Sequence, residues 1–255
     1  GFRAGQLFSW LHEKRVQDWS EMTNLSAALR QKLAERCTLT QLTVLHRLVS
    51  SIDGTQKYLY RLADSNCIET VLMKYKHGNS LCISTQVGCR MGCNFCASTL
   101  GGLVRHLTPS EMLEQVYETV RQSGERVDSL VLMGIGEPLD NYDNVIRFLR
   151  LLTDPKGYNL GQRHISLSTC GLVDRIYDLA KEDLGITLSI SLHAPDNETR
   201  NKTMPVNRRW PVEQLMQACR DYFKTTGRRI SFEYALIKGV NDSPADAQKL
   251  AKLLD

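Results

Sequence analysis

Apolar positions recur at two spacings along this chain, and the change of spacing divides it. In Gln6-Leu7-Phe8-Ser9-Trp10-Leu11 and from Leu25 to Leu33 they fall at helical intervals, with Asn24 placed to cap the second helix. β-rich or alternating runs follow at Leu42–Val49, Tyr58–Ala63, Ile68–Tyr75 and Leu81–Thr85, punctuated by turn residues at Asp53-Gly54, Asp64-Ser65-Asn66 and His77-Gly78-Asn79. From Leu81 onward strand and helix alternate. Strands are expected at Leu81–Thr85, Ser129–Met133, Ile165–Ser168, Thr187–Leu192 and Ile230–Leu236. Helices are expected from Thr108-Pro109-Ser110-Glu111 (a capping box with Pro at the first helical position), over Asn144–Leu152, Leu172–Lys181 and Val212–Lys224, and from Ser243-Pro244 to Asp255. Strands each followed by a helix imply parallel strands and right-handed crossovers, hence an α/β barrel or open sheet. Such folds gather their chemistry at the carboxyl ends of the strands.

Composition narrows the class without naming a function. The 255 residues are 42% hydrophobic and 24% charged, with mean hydropathy −0.29, as in ordinary folded proteins. No run approaches the roughly 18 apolar residues of a membrane span, and none has the composition of a rod or a disordered tail. The sequence starts at Gly1 and carries no signal-peptide core, so it reads as an internal piece of a cytoplasmic protein. Net charge is +4, and residues 1–76 hold all of the excess, 11 Lys and Arg against 7 Asp and Glu. That end suits an anionic partner or is simply a solvated surface.

The eight cysteines change the picture more. Without a secretory signal, disulfides are not expected. Cys82, Cys89, Cys93 and Cys96 crowd into one short stretch, and the last three form C-x3-C-x2-C just after an expected strand. Thiolates so spaced reach three corners of an iron–sulfur cube and leave one iron open for a ligand. The competing reading is structural zinc with Cys82 or His106 as fourth ligand, although zinc sites favour paired C-x2-C elements. Met133-Gly134-Ile135-Gly136-Glu137-Pro138 follows the next strand, where glycines permit close backbone approach and a carboxylate accepts hydrogen bonds from an ammonium. Ser166-Leu167-Ser168-Thr169-Cys170-Gly171 and Ser189-Ile190-Ser191-Leu192-His193-Ala194-Pro195 bring hydroxyls and an imidazole to two further strand ends. These suit a ribose and a carboxylate.

The cysteine triplet, with an aromatic before its last cysteine, resembles the signature of the radical S-adenosylmethionine (SAM) superfamily, in which the amino and carboxylate groups of SAM chelate the open iron. Longer runs resemble one family within it. These are Leu81 to Cys89, Met133 to Leu139, Ser189 to Pro195, Ile68-Glu69-Thr70-Val71-Leu72 (with Lys74 where the family has a Pro region), and an opening segment similar to the family's helical N-terminal domain. The family is the radical SAM adenine-C2 RNA methyltransferases, RlmN with its relative Cfr. The resemblance implies an α/β fold, a partial (β/α)6 barrel lacking its last strand, preceded by a small helical domain and a β-meander. Its expected boundaries are residues 1–40 for the RNA-contacting domain, 41–79 for the meander and 80–255 for the radical SAM core.

The resemblance also implies the activity: methylation of C2 of one adenosine in 23S rRNA and of the adenosine 3′ of the anticodon in tRNAs, through a methyl-cysteine intermediate. It implies a [4Fe–4S] cluster on Cys89, Cys93 and Cys96, and SAM held by Gly136, Glu137, Ser168, Ser191, Leu192 and His193. Glu69 matches the proton acceptor and Cys82 the resolving thiol. The implied partners are 23S rRNA, tRNA and a flavodoxin-type reductant, with no membrane. Arg208-Arg209-Trp210 and Arg228-Arg229 are candidates for phosphate contact and stacking. One departure stands out. The family's methyl-carrying cysteine belongs to an ACGQL-type segment that does not occur in these residues, and neither Cys170 nor Cys219 matches it. The expectation is therefore that the parent protein is the methyltransferase and that these 255 residues alone do not transfer methyl. C8 methylation of the Cfr type and a non-catalytic, zinc-stabilised RNA-binding module remain the alternatives.

Overall fold

A computed structural model describes all 255 residues. In chain order the helices are α1 (Phe2–Phe8) and α2 (Ala27–Arg36), followed by strands β1 (Thr43–Val49), β2 (Gln56–Arg61), β3 (Cys67–Tyr75), β4 (Gly78–Cys82), β5 (Gln86–Gly88) and β6 (Leu103–His106). Then come α3 (Pro109–Ser123), β7 (Ser129–Leu132), α4 (Tyr142–Leu152), β8 (Ile165–Thr169), α5 (Val173–Leu179), β9 (Thr187–Ser191), α6 (Asn197–Thr203), α7 (Val212–Thr226), β10 (Ile230–Glu233) and α8 (Pro244–Leu254). The chain forms two compact units, one of residues 1–83, 107–130 and 143–161, the other of 84–106, 131–142 and 162–255.

The first unit is built on the antiparallel meander β1–β2–β3–β4. Tyr58, Tyr60, Ile68, Thr70 and Leu72 alternate inward, as period-two strands with one covered face should. α3 covers that face: Thr119 Oγ1 lies 2.9 Å from the Tyr60 hydroxyl, and Thr70 Oγ1 donates to Gln115 Oε1 at 2.9 Å. The expected capping box is formed, with Thr108 Oγ1 accepting from the Glu111 amide while the Glu111 carboxylate accepts from the Thr108 amide. Gly124 ends α3 in the left-handed conformation. Asn24 is not the cap of α2. Its Oδ1 accepts from the Trp10 indole at 2.5 Å, and Ser26 caps the helix instead by accepting from the Leu29 amide.

The second unit holds the parallel strands β8, β9 and β10 in that order. Apolar residues at Ile165, Leu167, Leu188 and Ile190 are fully covered, the reading expected of parallel strands buried on both faces. α5 packs beside α7. The expected strand over Leu81–Thr85 ends earlier: β4 pairs antiparallel with β3 and stops at Cys82. Chain from Gln86 instead pairs with His106 in a two-stranded ribbon, β5–β6. Helix α6 had no counterpart in the sequence reading. Its seven residues, NETRNKT, carry no apolar stripe, and the helix is held by the Asp196 cap and by what Arg200 reaches.

Candidate active site

The cysteine loop runs from Cys89 to Gly102, between β5 and β6, and its two ends are tied by the Cys89 amide donating to the Gly102 carbonyl at 3.0 Å. Gly88, in the left-handed region, makes that closure possible, since a Cβ there would lie 2.0 Å from the Gly102 oxygen. The loop is also fixed from α6: the Asn94 amide donates to Thr203 O at 2.9 Å, and the Asn94 side chain donates to Lys202 O.

Cys89, Cys93 and Cys96 line one cavity of about 260 Å³ with Phe95, Gly134, Gly136, Glu137, Ser168, Cys170, Ser191, His193 and Glu233. Burial pushes the Cys89 thiol up to about 11 and the Cys93 thiol up to about 12, so these sulfurs favour ionisation only when a cation takes them. No three His, Cys, Asp or Glu side chains meet closely enough for a single ion. His106, a candidate fourth zinc ligand, has its Nδ1 3.0 Å from the Gln86 side-chain nitrogen. Three thiols on one loop, spread around a cavity that Glu233, with its unsatisfied Oε1, also lines, fit three corners of an iron–sulfur cube.

The loop after β7 is held in place from β5. Fully buried Gln86 accepts from the Glu137 amide at 2.8 Å and donates to Asp140 at 2.9 Å, while Asp140 pairs with Arg90. Gly136 has a positive φ of 106°, and a Cβ on it would lie 2.5 Å from the Gln86 Cβ. Its glycine is therefore demanded by protein packing as well as by any ligand. The Glu137 carboxylate is turned to the protein: its oxygens accept from the amides of Leu139 (3.0 Å) and Cys170 (2.8 Å). Burial raises its pKa against the pull of those amides.

Ser168 and Ser191 stand at the ends of β8 and β9 with their hydroxyls 3.2 Å apart. Both donate to Glu233 Oε2 on β10, at 2.9 and 3.0 Å. His193 Nδ1 accepts from the Ala235 amide at 2.9 Å, which leaves the ring proton on Nε2, and burial lowers its pKa so the neutral ring is favoured. Its ring meets Phe95 edge-on, with centroids 5.1 Å apart. Leu192 is fully buried, its amide donating to Glu233 O at 3.0 Å.

Beneath these strand ends lies Arg200, with no exposed surface. Its guanidinium donates to the carbonyls of Cys170, Ser191 and Leu192 and to Asn207 Oδ1, at 2.6 to 3.2 Å. Gln86, Arg200 and Glu233 were not singled out from sequence. The only signal was a charged or amide residue inside or beside a short apolar run, which is too common to read alone.

Glu69 and Cys82 lie in the first unit. Cys82 pairs with Val71 across β3–β4, which places it on the same face of the meander as Glu69, diagonally removed. Glu69 forms an ion pair with Lys57 at 2.7 Å, both about half exposed. No helix is long and apolar enough to cross a membrane.

The profile of the Radical SAM superfamily matches residues 83–251, and that of the ribosomal RNA large subunit methyltransferase N-terminal domain matches residues 1–39. A protein of Lachnospira eligens described as a probable dual-specificity RNA methyltransferase RlmN is 56% identical over 253 residues, covering 99% of this chain and 72% of the relative. One of the same description from Clostridium novyi is 53% identical over 252 residues, covering 99% and 74%. The crystal structure of a radical SAM methyltransferase from Sphaerobacter thermophilus superposes with a TM-score of 0.93 at 45% identity, over 99% of this chain and 75% of that one. The mixed α/β fold with its parallel strands, the three thiols around one cavity and these likenesses agree: the chain belongs to the RlmN family of radical SAM methyltransferases.

Proposed function

We propose that this chain carries the SAM-binding and radical-generating part of an RNA methyltransferase acting on C2 of adenosine, in 23S rRNA and in tRNA. The observation that carries the reading is the single cavity shared by three loop cysteines and the polar ends of β8, β9 and β10. Its cofactors are a [4Fe–4S] cluster and SAM. The bound cluster supplies an electron that opens the sulfonium of SAM, chemistry needed because C2 of adenine is an unactivated carbon with no nucleophile to offer.

The protein's own residues hold, orient and shield. Cys89, Cys93 and Cys96 ligate the cluster from a loop pinned at Gly102 and Thr203. Gly136 and Glu137 bound the cavity on a loop whose shape Gln86 sets. Ser168 and Ser191 form its strand-end wall, with His193 offering the Nε2 proton as a donor, and buried Leu192, between Ser191 and His193, is assigned to SAM as well. Glu69 is assigned as proton acceptor and Cys82 as resolving thiol. Their common face on the meander supports pairing the two roles, since a base and a thiol serving one substrate must be presented together.

Residues 1–40 are assigned to RNA contact, 41–79 to the connecting meander and 80–255 to the radical SAM core. Exposed Arg208, Arg209 and Arg229, half-buried Arg228, and Trp210, whose ring lies 4.4 Å from the Arg209 guanidinium, are assigned to the RNA backbone and bases. An RNA substrate places the enzyme in the cytoplasm, with a flavodoxin-type protein as electron donor. The test is mass spectrometry of adenosine from rRNA and tRNA of cells in which the full-length gene is deleted and restored. Loss and recovery of C2-methyladenosine supports the reading. A C8-methylated product, or no change, refutes it.

A further inference from the structure

The four strands of the meander carry a single carboxylate, Glu69, against Arg47, Lys57, Arg61 and Lys74. Glu69 pairs with Leu59 across β2–β3, and Leu59 with His46 across β1–β2. The residues that flank Leu59 along β2, Lys57 and Arg61, are therefore both diagonal neighbours of the carboxylate. His46, Lys57, Arg61 and Glu69 share the face turned away from α3, and the three basic residues are exposed on it. Alternation along β3 brings Tyr75 to the same face, half exposed, with its ring stacked on His77 at a centroid distance of 5.2 Å. Cations and an exposed aromatic pair on one open surface are the groups that take phosphates and unpaired bases, so RNA is the partner this face fits. Glu69 runs against that fit, because RNA phosphates repel a carboxylate brought up to them. Its ion pair with Lys57, Nζ to Oε1 at 2.7 Å, is too exposed to add much to folding. What the pair changes is the charge that a docking polyanion meets.

We propose that RNA docks on the outer face of the meander and that Lys57 is the counter-charge that lets it approach Glu69. The ammonium cancels the carboxylate toward the phosphates and holds it directed across the face, so that the assigned base can sit against a polyanion. Lys57 is thus a positioning residue that acts through Glu69, and the meander is more than a connector. The proposal rests on the reading of Glu69 as proton acceptor toward an RNA substrate.

The test is binding of an unmodified tRNA transcript to the full-length, cluster-loaded enzyme by fluorescence anisotropy, at about 0.1 M salt where surface charges act over roughly 10 Å. The proteins compared are wild type, Lys57→Met, Lys57→Arg, Glu69→Gln and the double variant Lys57→Met with Glu69→Gln. Lys57→Met should weaken binding about 5- to 20-fold, because an uncompensated carboxylate then faces the phosphates. Lys57→Arg keeps the charge and should bind like wild type. Adding Glu69→Gln to Lys57→Met removes the carboxylate as well and should recover most of the loss, which damage to the fold would not allow. A double variant as weak as Lys57→Met means that the lysine contacts phosphate itself and overturns the counter-charge. Wild-type affinity in Lys57→Met overturns the docking face. Methyl transfer that survives Glu69→Gln overturns the proton-acceptor reading beneath the proposal, whichever way the binding falls.

Discussion

Replacing Arg200 with Met tests how the cofactor wall is held. Methionine fills much of the same volume but donates nothing, so the Cys170, Ser191 and Leu192 carbonyls and Asn207 Oδ1 each lose a donor inside the protein. Four hydrogen bonds at about 1 kcal/mol or more each, from a charged donor, are offset by no longer burying a guanidinium that has no carboxylate partner. The balance is a loss of roughly 3 to 5 kcal/mol. Equilibrium urea unfolding followed by circular dichroism should show a lower midpoint at unchanged slope. Arg200→Lys, which keeps the charge but not the planar fork, should fall between. The three carbonyls lie at the ends of β8 and β9, so Met at this position should also reduce iron retained after reconstitution. A destabilisation below about 1 kcal/mol would refute the view that this buried cation ties α6 to the strand ends.

Other outcomes follow from the same geometry. Gly136→Ala forces a Cβ to within 2.5 Å of the Gln86 side chain at a positive φ, and should cost about 2 to 5 kcal/mol in urea unfolding even without ligand; full stability with binding alone lost would contradict it. Glu114 is held at about 7 by burial despite its pairing with Arg121. A raised folded pKa contributes stability that is complete below the unfolded value near 4.5 and disappears as pH rises through 7, so Glu114→Gln should flatten the fall in stability over that window, by a few kcal/mol at most. Glu69→Gln removes the charge from a half-exposed ion pair with Lys57 and should change stability by less than about 1 kcal/mol. Methyl transfer by the full-length enzyme should nevertheless fail, which separates a chemical role from a structural one.

Much of the fold was legible because its signals are local. The capping box at Thr108, the helix start at Ser243-Pro244, the turn at Gly78 and the apolar runs of β8 and β9 each express a preference that needs no distant partner. Cysteine spacing singled out Cys89, Cys93 and Cys96, and the resemblance singled out Ser168, Ser191 and His193; all six line one cavity. What stayed hidden depends on tertiary neighbours. The β5–β6 ribbon is short and pairs across a long loop, so no hairpin signal marks it. The seven residues of α6 are polar because the helix is anchored by a buried arginine rather than by an apolar stripe. The direction of the Glu137 carboxylate is set by the Leu139 and Cys170 amides, and that of the serine hydroxyls by Glu233, relations that spacing along the chain cannot express.

The central claim is that Cys89, Cys93 and Cys96 together hold a cluster that cleaves SAM. Its most direct test is anaerobic reconstitution with iron and sulfide, counting iron and 5′-deoxyadenosine formed after reduction, for the wild type and for each cysteine changed singly to Ala. About four irons per chain are expected in the wild type, with loss of cleavage in all three variants. A colourless protein that takes up one zinc instead, or cleavage that survives any one of the substitutions, would contradict it.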